Sequence, residues 1–192
     1  LTLSGANTYT GNTVIEGGTL AVTVNNALGT TAGTTTVASG AVLDLQNVTY
    51  STTEGLTVNG GIIKTSTGTS SFAGTIALGA NSTADVGGDQ LTLSGIISGS
   101  YGLTKTSSGI LVLSGANTYT GDTTISAGAL TASNAAALGN VSSGTTVASG
   151  AALQITTSIN AEPLTLNGTG ISSGGALRNI SGNNTYGGLI TL

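Results

Sequence analysis

LTLSGANTYTGNTVIEGGTL at residues 1–20 returns as LVLSGANTYTGDTTISAGAL at residues 111–130. The match continues outward, because TTTVASGAVLDL (34–45) becomes GTTVASGAALQI (144–155) at the same offset of 110. A two-residue shift then carries Leu56-Thr57-Val58-Asn59-Gly60 onto Leu164-Thr165-Leu166-Asn167-Gly168. Residues 61–78, GIIKTSTGTSSFAGTIAL, fall on 175–192, GALRNISGNNTYGGLITL, at an offset of 114. This places Lys64 on Arg178 and Phe72 on Tyr186, so that Tyr9, Phe72, Tyr119 and Tyr186 share one slot of the motif. Internal repetition of this kind is the signature of stacked architectures. The chain reads as a single continuous segment, 1–192, with a first long unit at 1–110 and a partial second at 111–192.

Within a unit the apolar residues alternate over short distances, at Leu1-Leu3, Ile15, Leu20-Val22, Val37, Leu43-Leu45, Leu56-Val58 and Ile62-Ile63. Such alternation means strands with one face in and one face out. Between them stand Ser-Gly, Gly-Gly, Asn-Gly and Asn-Asn turn formers. Helical periodicity is missing; Ala27-Leu28-Gly29 and Ala135-Ala136-Ala137-Leu138 suffice for one turn at most. A sandwich or barrel also uses many short strands, but it closes on itself and has no reason to repeat. The fold class expected is all-β, a parallel β-helix or solenoid with uncapped ends. About 22 residues per rung gives about five rungs per unit, about nine in all, and a rod of about 40 Å at about 4.8 Å per rung. Gly11, Gly18 and Gly40 are expected at corners with positive φ. Both termini read as strands, so the native rod is expected to continue in both directions. The absence of an initiator Met or signal peptide marks the chain as processed or cut from something longer.

Composition narrows the function. Cys, His, Met and Trp are absent, and 5% of residues are charged against about 25% in ordinary domains. The ten charged residues are Asp44, Asp85, Asp89, Asp122, Glu16, Glu54, Glu162, Lys64, Lys105 and Arg178. Positive mean hydropathy and regular apolar recurrence argue against disorder, which pairs low hydrophobicity with high net charge. Without cysteine there is neither a disulfide framework nor a thiolate metal site. The net charge of −4 is small and unclustered, so there is no footprint for nucleic acid. No apolar run is long enough for a membrane-spanning helix.

The phrase GLTKTSSGILVLSGANTYTGDTTISAGAL (102–130) resembles the passenger-associated repeat, or autotransporter-associated β-strand repeat, of Gram-negative autotransporters. DQLTLSGIISG (89–99) and GALRNISGNNTYGGLITL (175–192) resemble the motifs that accompany it. The resemblance implies a right-handed parallel β-helix on the outer cell surface, held by a C-terminal β-barrel that is not part of this sequence. It implies a structural or adhesive stalk, with an extracellular fibre or matrix protein of stacked repeats as the alternative. Expected partners are a second copy of the chain or a surface glycan or protein, with no direct membrane insertion by this segment.

Chemistry finds little purchase. A triad needs a base beside its nucleophile, and with no His only Lys64 or Lys105 remain, both in repeat slots. Glycoside hydrolysis needs two carboxyls about 5–10 Å apart. Asp85 and Asp89 are read instead as solvated turn carboxylates with no Lys or Arg adjoining, and as a poor calcium site. The recurring aromatics are read as corner residues rather than sugar platforms, and Asn7, Asn117 and Asn184 as backbone-bonding turn residues. A flat T-x-T array of the ice-binding type is not visible. No catalytic, cofactor-binding or metal-ligating residue is assigned.

Overall fold

A computed structural model describes all 192 residues. Its strands pair only in parallel and form three sheets of ten, seven and five strands. One turn illustrates the path: Ile76–Ala80 on the five-stranded face, Ser82–Val86 on the ten-stranded face, Gln90–Leu93 on the seven-stranded face. Ile97–Gly99 then lies directly on Ile76–Ala80, with Ile76 opposite Ile97. The protein is the parallel β-solenoid that the repeats predict. Ten strands on the longest face make nine steps, or about 43 Å at about 4.8 Å each. The step varies from Thr2 against Ala21 to Leu164 against Ile190, because the corners absorb loops of different length.

Beyond Ile97–Gly99 the five-stranded face continues as an irregular ladder. Thr118 N–H donates to Ile97 O at 2.8 Å, Thr120 N–H to Gly99 O at 2.9 Å, and Asn140 N–H to Tyr119 O at 2.9 Å. The two short stretches allowed a helical turn are hydrogen-bonded turns, closed by Gly29 N–H to Asn26 O and Ala137 N–H to Asn134 O. The one helical element is a 3₁₀ turn at Ile171–Ser173, which the sequence pattern does not announce.

Parallel register fixes the interior. Inward residues stack in columns, such as Leu20, Leu43, Ile63, Ala84, Lys105, Ile125, Val147 and Leu166 along the ten-stranded face. Phe72, Leu93, Leu113, Ala132 and Ile155 make a column on the seven-stranded face. Together the columns form one core of 38 buried residues. Each buried Leu, Ile or Val contributes about 1.5–3 kcal/mol over its exposed state, and every rung gains it from its two neighbours.

The copies do not lie above one another. Thr13–Ile15 belongs to the five-stranded face, whereas its copy Thr123–Ile125 belongs to the ten-stranded face. Thr19–Val22 is on the ten-stranded face and its copy Ala129–Ala132 on the seven-stranded one. From Thr2–Leu3 to Leu103–Thr106 the chain takes five steps along one face, and the copy of Thr2–Leu3, within Ile110–Leu113, lies one face further. The unit is therefore five and one-third turns rather than the five expected. The second unit is turned by one face about the axis. Three faces of similar strand length accept this, since each strand meets the same kind of parallel neighbour on any of them.

Glycine is demanded on two counts at one place that recurs in both copies. Gly29 and Gly139 both have φ +92°, and an added Cβ would sit 2.6 Å from the carbonyl oxygen of Tyr9 or Tyr119 and within 3.0 Å of ring carbons. Gly18 and Gly40 have positive φ as expected, but Gly11 does not. Its corner turns through ordinary backbone angles. Gly139→Ala is expected to lower stability by about 2–4 kcal/mol, from overpacking and left-handed strain together. Gly40→Ala, where nothing lies within 4 Å, carries the φ cost alone, about 1–2 kcal/mol. Urea unfolding followed by circular dichroism orders the two.

Candidate functional site

The shared aromatic slot is structural. Phe72 and Tyr119 are fully buried, and Tyr119 Oη lies 2.6 Å from Thr123 Oγ1, as Tyr9 Oη lies 2.7 Å from Thr13 Oγ1. Asn7 and Asn117 donate to Ala27 O and Ala137 O of the following rung at 2.7 and 2.6 Å. Asn184 donates to Ser181 O within its own turn. All three are backbone-bonding residues. Phe72 and Tyr119 offer no ring face to a sugar; the exposed rings are Tyr9 and Tyr101.

The charged residues depart from expectation. Asp85 is not a solvated turn carboxylate: it sits on the strand Ser82–Val86, outward, one rung above Lys64. Lys64 Nζ is 3.0 Å from Asp85 Oδ2, Thr106 Oγ1 donates at 3.2 Å, and Ser107 Oγ donates as well. Burial pushes the Asp85 carboxyl up, but the bonds from Ser107 and Lys64, the Lys64 charge and Thr106 outweigh it, holding the group below its ordinary range. A cation thus does adjoin this acid, from the neighbouring rung, where sequence distance hides it. Asp89 lies round the corner in a shallow groove with Gly68, Gly87, Gly88, Ser108 and Gly109. No three acidic side chains converge anywhere.

Lys105 falls in an inward column and is fully buried. Its ammonium bends to the corner and donates to Thr106 O at 2.7 Å, Ser107 O at 2.7 Å and Ala127 O at 3.2 Å. Burial pulls its pKa down to about 8, opposed by the Asp85 charge. The partners recorded are backbone carbonyls, so the geometry gives Lys105 no hydroxyl to activate.

Outward, register builds something the sequence does not display. Thr83, Thr104, Thr124, Thr146, Thr165 and Thr191 are successive partners on the ten-stranded face, a column of six threonines. They are half-buried or exposed. The neighbouring column is mixed, with Asp85 opposite Thr106, so no two-column T-x-T lattice forms. A second polar row, Asp44–Lys64–Asp85 on this face, has the copy of its first two members in Gln154–Arg178 on the seven-stranded face, where Thr131, the copy of Ala21, precedes them. These rows are the principal chemical relief of the shaft.

Comparison with known proteins now bears on this geometry. The passenger-associated-transport-repeat family matches residues 1–22 and 103–132. The chain carries passenger-associated-transport repeats. Each matched segment contains the buried or packed Tyr slot, the Asn that reaches the following rung, and the two strands after it. The repeat is thus an element of the solenoid wall, displayed on different faces in its two copies. A relative is the adhesin BmaC autotransporter of Brucella suis biovar 1 (strain 1330), 34% identical over 148 residues. That match covers 77% of this chain and 4% of the adhesin's length. No solved structure matches significantly, and no helix is long and apolar enough to cross a membrane.

Two residues of this repeat framework escape sequence reading as a pair. Glu54 and Glu162 are buried, at 1% and 2% exposure. Thr35 donates to Glu54 at 2.6 Å, and Thr145, the copy of Thr35, donates to Glu162 at 3.1 Å. The shift that aligns Leu56–Gly60 with Leu164–Gly168 also superposes the two glutamates, and that was the available signal.

Replacing Lys105 tests its confinement. Lys105→Met keeps the volume and is expected to match or exceed native stability, while Lys105→Ala is expected to lose about 2–5 kcal/mol. A lysine whose folded pKa is lowered gains stability as pH rises through about 8. The advantage of the Met variant should therefore shrink between pH 7 and 9.5, measured by melting temperature.

Proposed function

We propose that this segment is a non-catalytic part of the stalk of an autotransporter passenger, displayed at the bacterial outer surface and contributing adhesive surface along its length. The observation that carries the reading is the placement of the matched repeats. They are wall elements, five and one-third turns apart, of a shaft whose interior is filled by side chains, and they build no cleft around reactive groups. The adhesin relationship supports the same assignment. Anchorage in the outer membrane belongs, in this reading, to a barrel elsewhere in the longer protein.

The contact surface is the ten-stranded face, where the threonine column runs over six rungs with little charge. A face of stacked hydroxyls suits many weak hydrogen bonds to a glycan, a protein surface or another shaft, with avidity rising along the rod. Immobilised chain should retain one such partner in a glycan array, a matrix-protein panel or a self-association assay by sedimentation. The triple substitution T104D/T124D/T146D should cut that binding at least about tenfold, through desolvation and like-charge repulsion, with circular dichroism unchanged. Equal binding by the variant would remove the face from consideration. Release of soluble oligosaccharide from any polysaccharide by the native chain would overturn the non-catalytic assignment.

A further inference from the structure

Glu54 and Glu162 lie inside the wall without a cation, since the chain's one ion pair joins Lys64 and Asp85. Around Glu54, Thr35 donates to one carboxyl oxygen and Tyr50 Oη stands 3.4 Å from the other. Tyr50 is itself fully buried, receives Leu28 N–H at 3.1 Å and stacks on Phe72 with centroids 5.5 Å apart. In the second copy Ile159 stands in place of Tyr50 and Tyr186 in place of Phe72. Tyr50 pairs with Phe72 in register, whereas the corresponding bridge joins Ile159 to Tyr186. The phenol has moved to the next rung. Glu162 Oε2 and Tyr186 Oη are the two buried side-chain polar atoms of the protein that lack a partner. The Glu162 charge bears on the Tyr186 phenol, whose pKa is pushed up by burial first and by that charge as well, and an orphaned buried acceptor and an orphaned buried phenol are each costly until a small movement or one water joins them.

We propose that each repeat unit encloses a carboxylic acid–threonine–phenol cluster, Glu54 with Thr35 and Tyr50 and Glu162 with Thr145 and Tyr186, in which the protonated acid locks adjacent rungs until a rise in pH ionises it. Acid and threonine are retained between the two copies, while the nearby phenol comes from a different rung in each. Burial pushes both carboxyls up, Glu162 to about 7, against the opposing bonds from Thr145 and, at Glu54, from Thr35 and Tyr50. Asp122 is the other charge bearing on Glu162, and it too favours the neutral acid. Tyr119, fully buried nearby, has its own phenol pushed up, by burial first and also by the Glu162 charge.

The folded chain binds these protons more tightly than the unfolded one. Stability is then fully present below the ordinary glutamate range, near 4.5, and falls as pH rises through about 7. The native chain should melt about 5 °C lower at pH 8 than at pH 5, and E54Q/E162Q, which keeps an acceptor for each threonine, should lose most of that difference. A native chain equally stable at both values, or a double variant with the full drop, overturns the proposal. Should the variant not fold, carboxyl ¹³C NMR of the unaltered chain decides: two glutamate resonances titrate above the ordinary range, or the idea fails. Y186F should shift the midpoint of the Glu162 resonance and leave Glu54 unmoved; no shift at Glu162 removes the proposed pair.

Discussion

Parallel hydrogen bonding between successive rungs governs this protein more than any single contact. Once a strand is placed on the one below, every side chain inherits the column beneath it, inward or outward, without further choice. Lys105 shows the strength of that constraint. Its column holds Ile63, Ala84, Ile125 and Val147, so the lysine enters the interior, and only corner carbonyls within reach of its long stem make that tolerable. The register costs one buried charge here and is kept.

The same constraint explains what the sequence discloses and what it withholds. Alternation and the long internal repeat suffice for strands, solenoid and approximate rung number, because these depend on local pattern alone. Asp85 illustrates the limit. Its partner Lys64 is 21 residues away in the chain and one rung away in space, and knowing this requires the register of every corner between them. The threonine column hides for the same reason, since its members are scattered by loops of unequal length. Glu54 and Glu162 were closer to view: two copies of one unit, properly aligned, superpose them, yet burial is what makes the pairing matter.

Internal copies also separate what is fixed from what drifts. The tyrosine that packs on Gly29 is repeated on Gly139 with the same φ and nearly the same close approach, so that corner tolerates no variation. By contrast, Asp44 and Lys64 become Gln154 and Arg178. The outward row keeps hydrogen-bonding reach while its charge changes. Walls of this kind constrain corners and columns tightly and leave outward polarity free to vary.

The offset of one face per unit has a consequence for any rod built from three or more such units. Three units restore the starting orientation, after sixteen turns or about 77 Å, so a surface mark carried by every unit winds round the shaft as a coarse single thread. A shaft lying against a flat surface would always offer one unit in three to it, whichever way it rolled. Contact would then depend on length and hardly at all on azimuth, as a threaded bolt grips equally at any angle.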